Sequence, residues 1–253
     1  VNYPNYLKES EKIHIKDTTK ILRINYTNPY VTGKHSITTN LLPESINDMN
    51  LVVILEKHGD REKGHWTCYY RSKSNGSTTW YKYDDNVATP VELVGNYDKI
   101  EKLGRYTTFF YAKPYDDEHL IPKSFLKYTS NSCFVDTILH CLFFVPELYG
   151  HVYLNWINTE KDSVGKIFQN EIEKIFVSLM NPNNHQNIEA LRTTLSSLGT
   201  DDNVVNVIVG RKQADANEFF EKIFAEHVNT TEFEVSTHKT YVEYKHITGL
   251  PLQ

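Results

Sequence analysis

The chain has 253 residues, with 27 Lys and Arg against 32 Asp and Glu, 40% hydrophobic and 13% aromatic residues, which is typical of a globular protein. The net charge of -5 provides no basic surface for nucleic acid, and the apolar runs, such as residues 51–55, are far too short to span a membrane. The chain has three cysteines, Cys68, Cys133 and Cys141, an odd number with no CxxC spacing among them. We therefore expect a protein of a reducing compartment and not a disulfide framework.

The first 113 residues are predicted to form an antiparallel β-sheet. Aromatic and β-branched runs occupy residues 20–25, 51–58, 65–72, 79–85 and 105–113. The sequence SNGS at residues 74–77 separates two of these runs and is typical of a hairpin turn.

Residues 114–124 mark a boundary, because they are polar and acidic and contain two prolines. Beyond them the hydrophobic pattern changes from alternation to the helical period, which predicts helices at residues 133–144, 162–180, 186–198 and 213–228. Alternation returns at residues 232–247. We therefore predict one α+β domain with a cleft, composed of a β part (1–113), a linker (114–124), a helical part (125–228) and further strands (229–253).

Cys133 is the first candidate for chemistry, since it directly precedes a helical run. The unpaired amides and the positive dipole end at a helix N-terminus favour the thiolate, and the same amides can hold an oxyanion. The alternative is a buried structural cysteine. Cys68, within a strand, and Cys141, within the helix, fit that alternative.

His65 and Asp84 are the second and third candidates. His65 begins an aromatic strand after a charged turn, and a strand can hold a general base rigidly beside a thiol. Asp84 ends the neighbouring strand of the predicted hairpin, where a carboxylate can orient the imidazole. Each residue alone is more often structural, but the hairpin makes them spatial neighbours.

The combination resembles the ubiquitin-specific proteases. Residues 64–69 (GHWTCY), 80–87 (WYKYDDNV) and 109–111 (FFY) are similar to that family's His box. Residues 131–142 (NSCFVDTILHCL) are similar to its Cys box, and residues 213–220 (QADANEFF) to its Q-x-D-A-x-E-F-L box. The resemblance implies a papain-like fold in which a helical thumb packs on an antiparallel β palm, with the site in the cleft between them.

The resemblance also implies the site residues. Cys133 would be the nucleophile, His65 the general base and then the general acid, Asp84 the orienting carboxylate and Asp85 a supporting one. The family commonly has an Asn five residues before the nucleophile, where this chain has Tyr128. Either the Tyr128 hydroxyl or amides around Asn131 to Cys133 would stabilise the oxyanion, and losing one such donor typically costs about 2.7–4 kcal/mol. The oxyanion candidates are Tyr128, Asn131 and Ser132, and the candidates for contact with the ubiquitin tail are Gln213, Asp215, Gly64 and Trp66.

The order of the boxes differs from the family, in which the Cys box comes first. We therefore expect a circularly permuted chain, with residues 114–124 joining the family's usual ends and with reduced fingers. The paired CxxC motifs that bind zinc in many members are missing, and His238 and His246 have no cysteine partners. We predict no metal and no cofactor.

The leading hypothesis is a thiol-dependent deubiquitinase that cleaves the bond at the C-terminus of ubiquitin through a thioester. Three alternatives stay open: an isopeptidase for a ubiquitin-like modifier, an inactive ubiquitin-binding module, and an unrelated α+β protein. Ubiquitin or a ubiquitin-like protein is the expected partner, with no nucleic acid and no membrane. We expect a monomeric catalytic domain of a longer chain, located in the cytoplasm or nucleus, or in the host cytoplasm if the source is viral.

Overall fold

The computed structural model of the protein describes residues 15–27, 43–59, 63–74, 77–100, 103–104, 106–116, 119–159, 162–184, 186–197, 199, 203–224, 230–238 and 241–246. The predicted turn residues Asn75 and Gly76, and residues 60–62 before His65, lie outside these ranges.

The strands of the described residues form one sheet. In chain order they are β1 (Ile21–Thr27), β2 (Ser45–Ile46), β3 (Met49–Gly59), β4 (Gly64–Ser74), β5 (Ser77–Tyr83), β6 (Val91–Gly95), β7 (Tyr106–Ala112), β8 (Thr230–His238) and β9 (Tyr241–His246). Their spatial order is β6-β5-β4-β3-β7-β1-β8-β9, and β2 pairs with β3. All these pairs are antiparallel except β1 with β8, which is parallel.

Central strand β3 is apolar on both faces, because a hydrophobic core lies on each side of the sheet. Leu51 and Ile54 belong to one core, and Val53 and Leu55 to the core shared with the helices. Val52 also faces the helices, since the register with β7 shifts at this point. Burying such a side chain contributes about 1.5–3 kcal/mol to the free energy of folding. Strand β3 therefore stabilises the cores on both faces of the sheet.

The helices pack on one face of the sheet. In chain order they are α1 (Cys133–Phe144), α2 (Pro146–Leu148), α3 (Leu154–Ile157), α4 (Ser163–Leu179), α5 (Glu189–Ser196), α6 (Asn203–Val209) and α7 (Ala216–Ile223), and a π-helical turn, Tyr149–Tyr153, joins α2 to α3. Every residue of α1 is buried, and α1 packs against β4. This contact brings the start of α1 close to the strand that carries His65.

No single helix among the described residues has the length and apolar character needed to cross a membrane. Residues 133–144 and 146–157 reach that length only together, and they bend by 93° at the break between them.

The predicted α+β class with an antiparallel sheet is confirmed. The helix predicted from residue 213 begins later, because Asp215 caps α7 by accepting the amide hydrogen of Asn217. Helix α7 is described as far as Ile223, and residues 225–228 of this prediction lie outside the described residues. Helix α6 was not predicted, because its β-branched sequence NVVNVIV favours a strand. Burial of Val204, Val205 and Ile208 against the other helices overrides that local preference.

Candidate active site

His65 and Asp84 lie side by side at the ends of two paired strands. His65 is the second residue of β4, and Asp84 directly follows β5, the antiparallel neighbour of β4. The imidazole Nε2 donates a hydrogen bond of 2.8 Å to Asp84 Oδ1. This bond orients the ring and leaves Nδ1 as the nitrogen that can serve another partner.

The Asp84 carboxylate is stabilised in its charged form. Burial acts to raise the pKa of Asp84, but the hydrogen bond from His65 and one of 3.0 Å from the amide of Asn86 outweigh it. The pKa of Asp84 therefore lies below its ordinary value. Asp85 lies deeper, and its Oδ1 is 3.6 Å from His65 Nε2, which is too far for a hydrogen bond.

Cys133 is the first residue of α1 and is buried. Its sulfur is within hydrogen-bonding range of the backbone amides of Trp66 and Phe134. Because Trp66 follows His65 on β4, the thiol lies beside the strand that carries the histidine. The structure therefore brings the three predicted catalytic residues to one end of the contact between α1 and β4.

The resting Cys133 is a thiol. Burial raises its pKa to about 11, and the negative charges of Asp85 and Asp136 act in the same direction. The hydrogen bonds from the two amides lower the pKa but do not compensate. The amides therefore act on the Cys133 thiol in the predicted direction, but desolvation outweighs them in the resting protein.

The loop before Cys133 has a left-handed backbone at two positions. Ser130 has φ of 41° and Asn131 has φ of 61°, a conformation that costs roughly 1–2 kcal/mol per residue in helices and less for Asn in single turns. Ser132 closes the loop, since its Oγ accepts the amide hydrogen of Thr129 at 2.8 Å and donates to Asp136. The loop thereby directs the first amides of α1.

Arg192 on α5 holds this loop through its carbonyl groups. Its guanidinium donates to the carbonyl oxygens of Thr129 at 2.9 Å and Ser130 at 2.7 Å, and also to Ile208 at 3.0 Å. The Arg192 side chain is only 4% exposed, and its charge is paired with Glu189 at 2.6 Å. Arg192 was not predicted as a site residue, because an Arg in an amphipathic helix carries no sequence signal of its own.

The predicted oxyanion side chains are engaged within the protein. The Tyr128 hydroxyl accepts the amide hydrogen of Asn131 at 3.0 Å and donates to Asn131 Oδ1 at 3.3 Å. Asn131 Nδ2 donates to the Arg211 carbonyl at 2.9 Å, and the Ser132 hydroxyl is used on Asp136. The oxyanion role of these side chains stays a prediction, and the geometry favours backbone amides at the start of α1.

The predicted ubiquitin contacts differ in their surroundings. The Gln213 amide makes two hydrogen bonds with the backbone of Gly64, of 2.8 and 2.6 Å, which fix the start of β4 next to His65. Trp66 is 1% exposed and donates to the Ala214 carbonyl, so its ring has no surface to offer a partner in this conformation. Asp215 is exposed at the cap of α7. Contact of these residues with ubiquitin stays a prediction.

His65, Asp84 and Asp85 each offer a ligand atom within 4.8 Å of the others. The 2.8 Å between His65 Nε2 and Asp84 Oδ1 is the length of a hydrogen bond, so a proton occupies the space between these two atoms. The geometry is therefore that of a histidine and its orienting carboxylate, and the expectation of no metal stays a prediction.

Residues 126–243 match a protein-family model described as ubiquitin carboxyl-terminal hydrolase. Over this part, just under half of its length, the chain is similar to the ubiquitin carboxyl-terminal hydrolases. The family match begins shortly before Cys133 and covers all of the helices, whereas His65 and Asp84 precede it. No curated protein and no solved structure matches the chain.

The match agrees with the resemblance seen in the sequence. It supports a hydrolase of the cysteine-protease type whose substrate is ubiquitin or a ubiquitin-like protein.

Proposed function

We propose that the protein is a deubiquitinase in which Cys133, His65 and Asp84 form the catalytic triad. The observation that carries this proposal is the convergence of α1 and β4. The Cys133 sulfur is in range of the Trp66 amide, and the preceding residue, His65, is oriented by a 2.8 Å hydrogen bond to Asp84. Hydrolysis by a cysteine protease requires a nucleophile, a base and a carboxylate that orients the base, all held on rigid elements.

In the proposed mechanism the Cys133 sulfur attacks the C-terminal carbonyl carbon of ubiquitin as its proton moves to His65 Nδ1. The tetrahedral intermediate collapses to a thioester, and His65 gives the proton to the departing amine. His65 then takes a proton from water, which attacks the thioester and releases the ubiquitin carboxylate and the Cys133 thiol. Because the resting thiol has a pKa of about 11, proton transfer accompanies the attack.

We assign stabilisation of the oxyanion to backbone amides at the start of α1. The side-chain donors of Asn131 and Ser132 are already used within the protein. A helix N-terminus presents unpaired amides in a fixed direction, which suits a developing negative charge. The Arg192 contacts to the preceding loop would keep these amides in place during the reaction.

The circular permutation is also part of the proposal. The family match covers the Cys-box part of the chain, while the residues that resemble the His box stand before it. In the sheet, β7 lies between β3 and β1, and its end at Ala112 is followed closely by residues 114–124, the segment that would join the family's usual ends. Strand β8, from beyond the helices, pairs with β1, so the two strand regions complete one sheet.

Ubiquitin is the modifier that we propose first, and a ubiquitin-like protein is the second candidate. The ubiquitin tail is basic, and Asp215 is an exposed acid just after Gln213, which itself bonds Gly64 at the start of the His65 strand. Ubiquitin is therefore the first substrate to test, followed by the ubiquitin-like proteins.

The first test is capture by ubiquitin that carries a thiol-reactive electrophile at its C-terminus, read by intact mass. We expect one ubiquitin on the parent and none on Cys133→Ala. The matched control is Cys141→Ala, which removes a second buried thiol from the same helix and should leave capture unchanged. Hydrolysis of a fluorogenic ubiquitin amide should fall by about 10³-fold or more in His65→Ala.

Loss of capture in Cys141→Ala but not in Cys133→Ala would contradict the assignment of the nucleophile. Reversible ubiquitin binding without capture would favour an inactive binding module. Absence of both would direct the same assay to ubiquitin-like proteins with the same electrophile.

A further inference from the structure

Asp85 and Asp136 form a buried pair of carboxyl groups beneath the proposed active site. Asp85 follows Asp84 at the end of β5, and Asp136 lies one turn after Cys133 on α1. Both residues are buried, and their carboxyl groups are within hydrogen-bonding range of each other. The pair therefore joins the strand that ends at the orienting carboxylate to the helix that carries the nucleophile.

The pair has too few donors for two ionised carboxylates. Within the described part of the chain, no N–H or O–H group donates to either side-chain oxygen of Asp85 or to Oδ1 of Asp136. Asp136 Oδ2 accepts from Ser132, and His65 Nε2 is 3.6 Å from Asp85 and bonded to Asp84. Ionised carboxylates only accept hydrogen bonds, so two of them in contact would leave acceptors facing each other away from water.

The positive charge of Arg192, which acts on Asp136, is bonded to other groups. Arg192 acts on Asp136 electrostatically, but its N–H groups bond backbone carbonyls and Glu189. A proton on one of the two carboxyl groups would supply the hydrogen-bond donor that the pair lacks. The other titratable or charged groups around the two carboxyl groups are His65 and Cys68 on β4, Tyr83 on β5, Asp84 after it, and Cys133 on α1.

We propose that Asp136 carries a proton and donates it in a hydrogen bond to the Asp85 carboxylate, so that the pair holds one negative charge beneath His65. Burial raises the pKa of both carboxyl groups, and that of Asp136 lies well above its ordinary value, which agrees with a retained proton. Protonated Asp136 thus donates the hydrogen bond that the Asp85 carboxylate lacks, and its other oxygen accepts the hydrogen bond from Ser132.

The consequence for catalysis rests on the proposed function. A single charge 3.6 Å from the imidazole favours the imidazolium that forms when Cys133 loses its proton. A second charge would hold that proton on His65 more strongly and would raise the pKa of Cys133 further. Asp136 is therefore a positioning residue, which acts on His65 through Asp85.

The first experiment is infrared difference spectroscopy of the free protein at neutral pH, with parent and Asp136→Asn compared. The amide of Asn has the shape of a protonated carboxyl group and donates permanently to Asp85. We expect the C=O stretching band of a protonated carboxylic acid in the parent and its loss in the variant. A parent without this band would overturn the proposal.

The second readout is the pH dependence of unfolding. The folded parent holds a proton that the unfolded chain releases at neutral pH, so its stability falls as pH rises above the ordinary Asp pKa. Asp136→Asn removes one such proton, and its stability should decrease less steeply with pH. Equal slopes in parent and variant would contradict a retained proton.

Kinetic measurements distinguish a positioning role of Asp136 from a purely structural role of its side chain. With the fluorogenic ubiquitin amide, Asp136→Asn should keep kcat within a few-fold of the parent, whereas Asp136→Leu should lose about ten- to a hundredfold in kcat because Asp85 has no donor. Equal losses in both variants, with unchanged thermal unfolding, would overturn the positioning role. The spectroscopic and unfolding readouts need no ubiquitin, so failure of the deubiquitinase proposal alone would leave them intact.

Discussion

Replacement of Arg192 by Met tests whether the loop before Cys133 is held from outside. Met is long and apolar, so it fills much of the buried space, but it removes the bonds to the carbonyls of Thr129 and Ser130. Hydrogen bonds from a charged donor contribute about 1.5–3 kcal/mol each. Because Ser130 is exposed and water can replace part of this bonding, we use the lower value for both bonds and expect a loss of about 3 kcal/mol in unfolding free energy.

Urea unfolding followed by tryptophan fluorescence measures this loss, since Trp66, Trp80 and Trp156 are buried. In the fluorogenic ubiquitin assay we expect kcat to fall by at least about tenfold. A displaced loop raises the activation free energy, and each increase of about 1.4 kcal/mol lowers the rate about tenfold. Arg192→Lys is the matched control. It keeps the positive charge beside Glu189 but lacks the planar fork that reaches both loop carbonyls, so we expect an intermediate loss.

A second change checks the role of backbone strain. Ser130 has positive φ, and Gly adopts that conformation without a steric penalty. Adding Ser130→Gly to Arg192→Met should therefore recover about 1 kcal/mol of unfolding free energy. If Arg192→Met unfolds within about 1 kcal/mol of the parent and retains the parental kcat, the loop is held by its own bonds and the reasoning is refuted.

Asp84→Asn removes the charge that orients His65 and should lower kcat by about 10⁴-fold with little change in ubiquitin binding; a loss below about tenfold would assign the orienting role elsewhere. Tyr128→Phe should lower kcat by less than about tenfold, because the hydroxyl bonds Asn131, and a loss of about 10²–10³ would show that it holds the oxyanion. Alkylation of Cys133 by iodoacetamide in the free protein should accelerate as pH rises towards about 11, whereas a plateau at neutral pH would reveal a resting ion pair with His65.

Most of the strands, helix α1 and the contact between His65 and Asp84 were accessible from the sequence. Alternating aromatic and β-branched runs predicted β1, β3, β4, β5 and β7 but missed the short strands β2 and β6. The hairpin between β4 and β5 made a histidine and a carboxylate neighbours. The start of α1 at Cys133 followed from the change in hydrophobic period.

The remainder depends on contacts between distant segments. The raised pKa of Cys133 comes from burial, and the Arg192 contacts join residues 62 and 63 positions apart, which no local pattern reveals. The proton proposed for Asp136 depends on its contact with Asp85, a residue on another element. Helix α6 was missed because its β-branched residues favour a strand until the other helices cover them.

The pairing of β1 with β8 has a consequence for the order in which the protein is made. Ile21 lies opposite Thr230 in the sheet, roughly two hundred positions later in the chain. A ribosome therefore releases β1, with an open edge, well before its parallel neighbour exists, and parallel pairing over such a separation is slow to form. The nascent chain carries both proposed halves of the active site before β1 can pair with β8, so completion of the sheet depends on a strand that is made long after the proposed site residues.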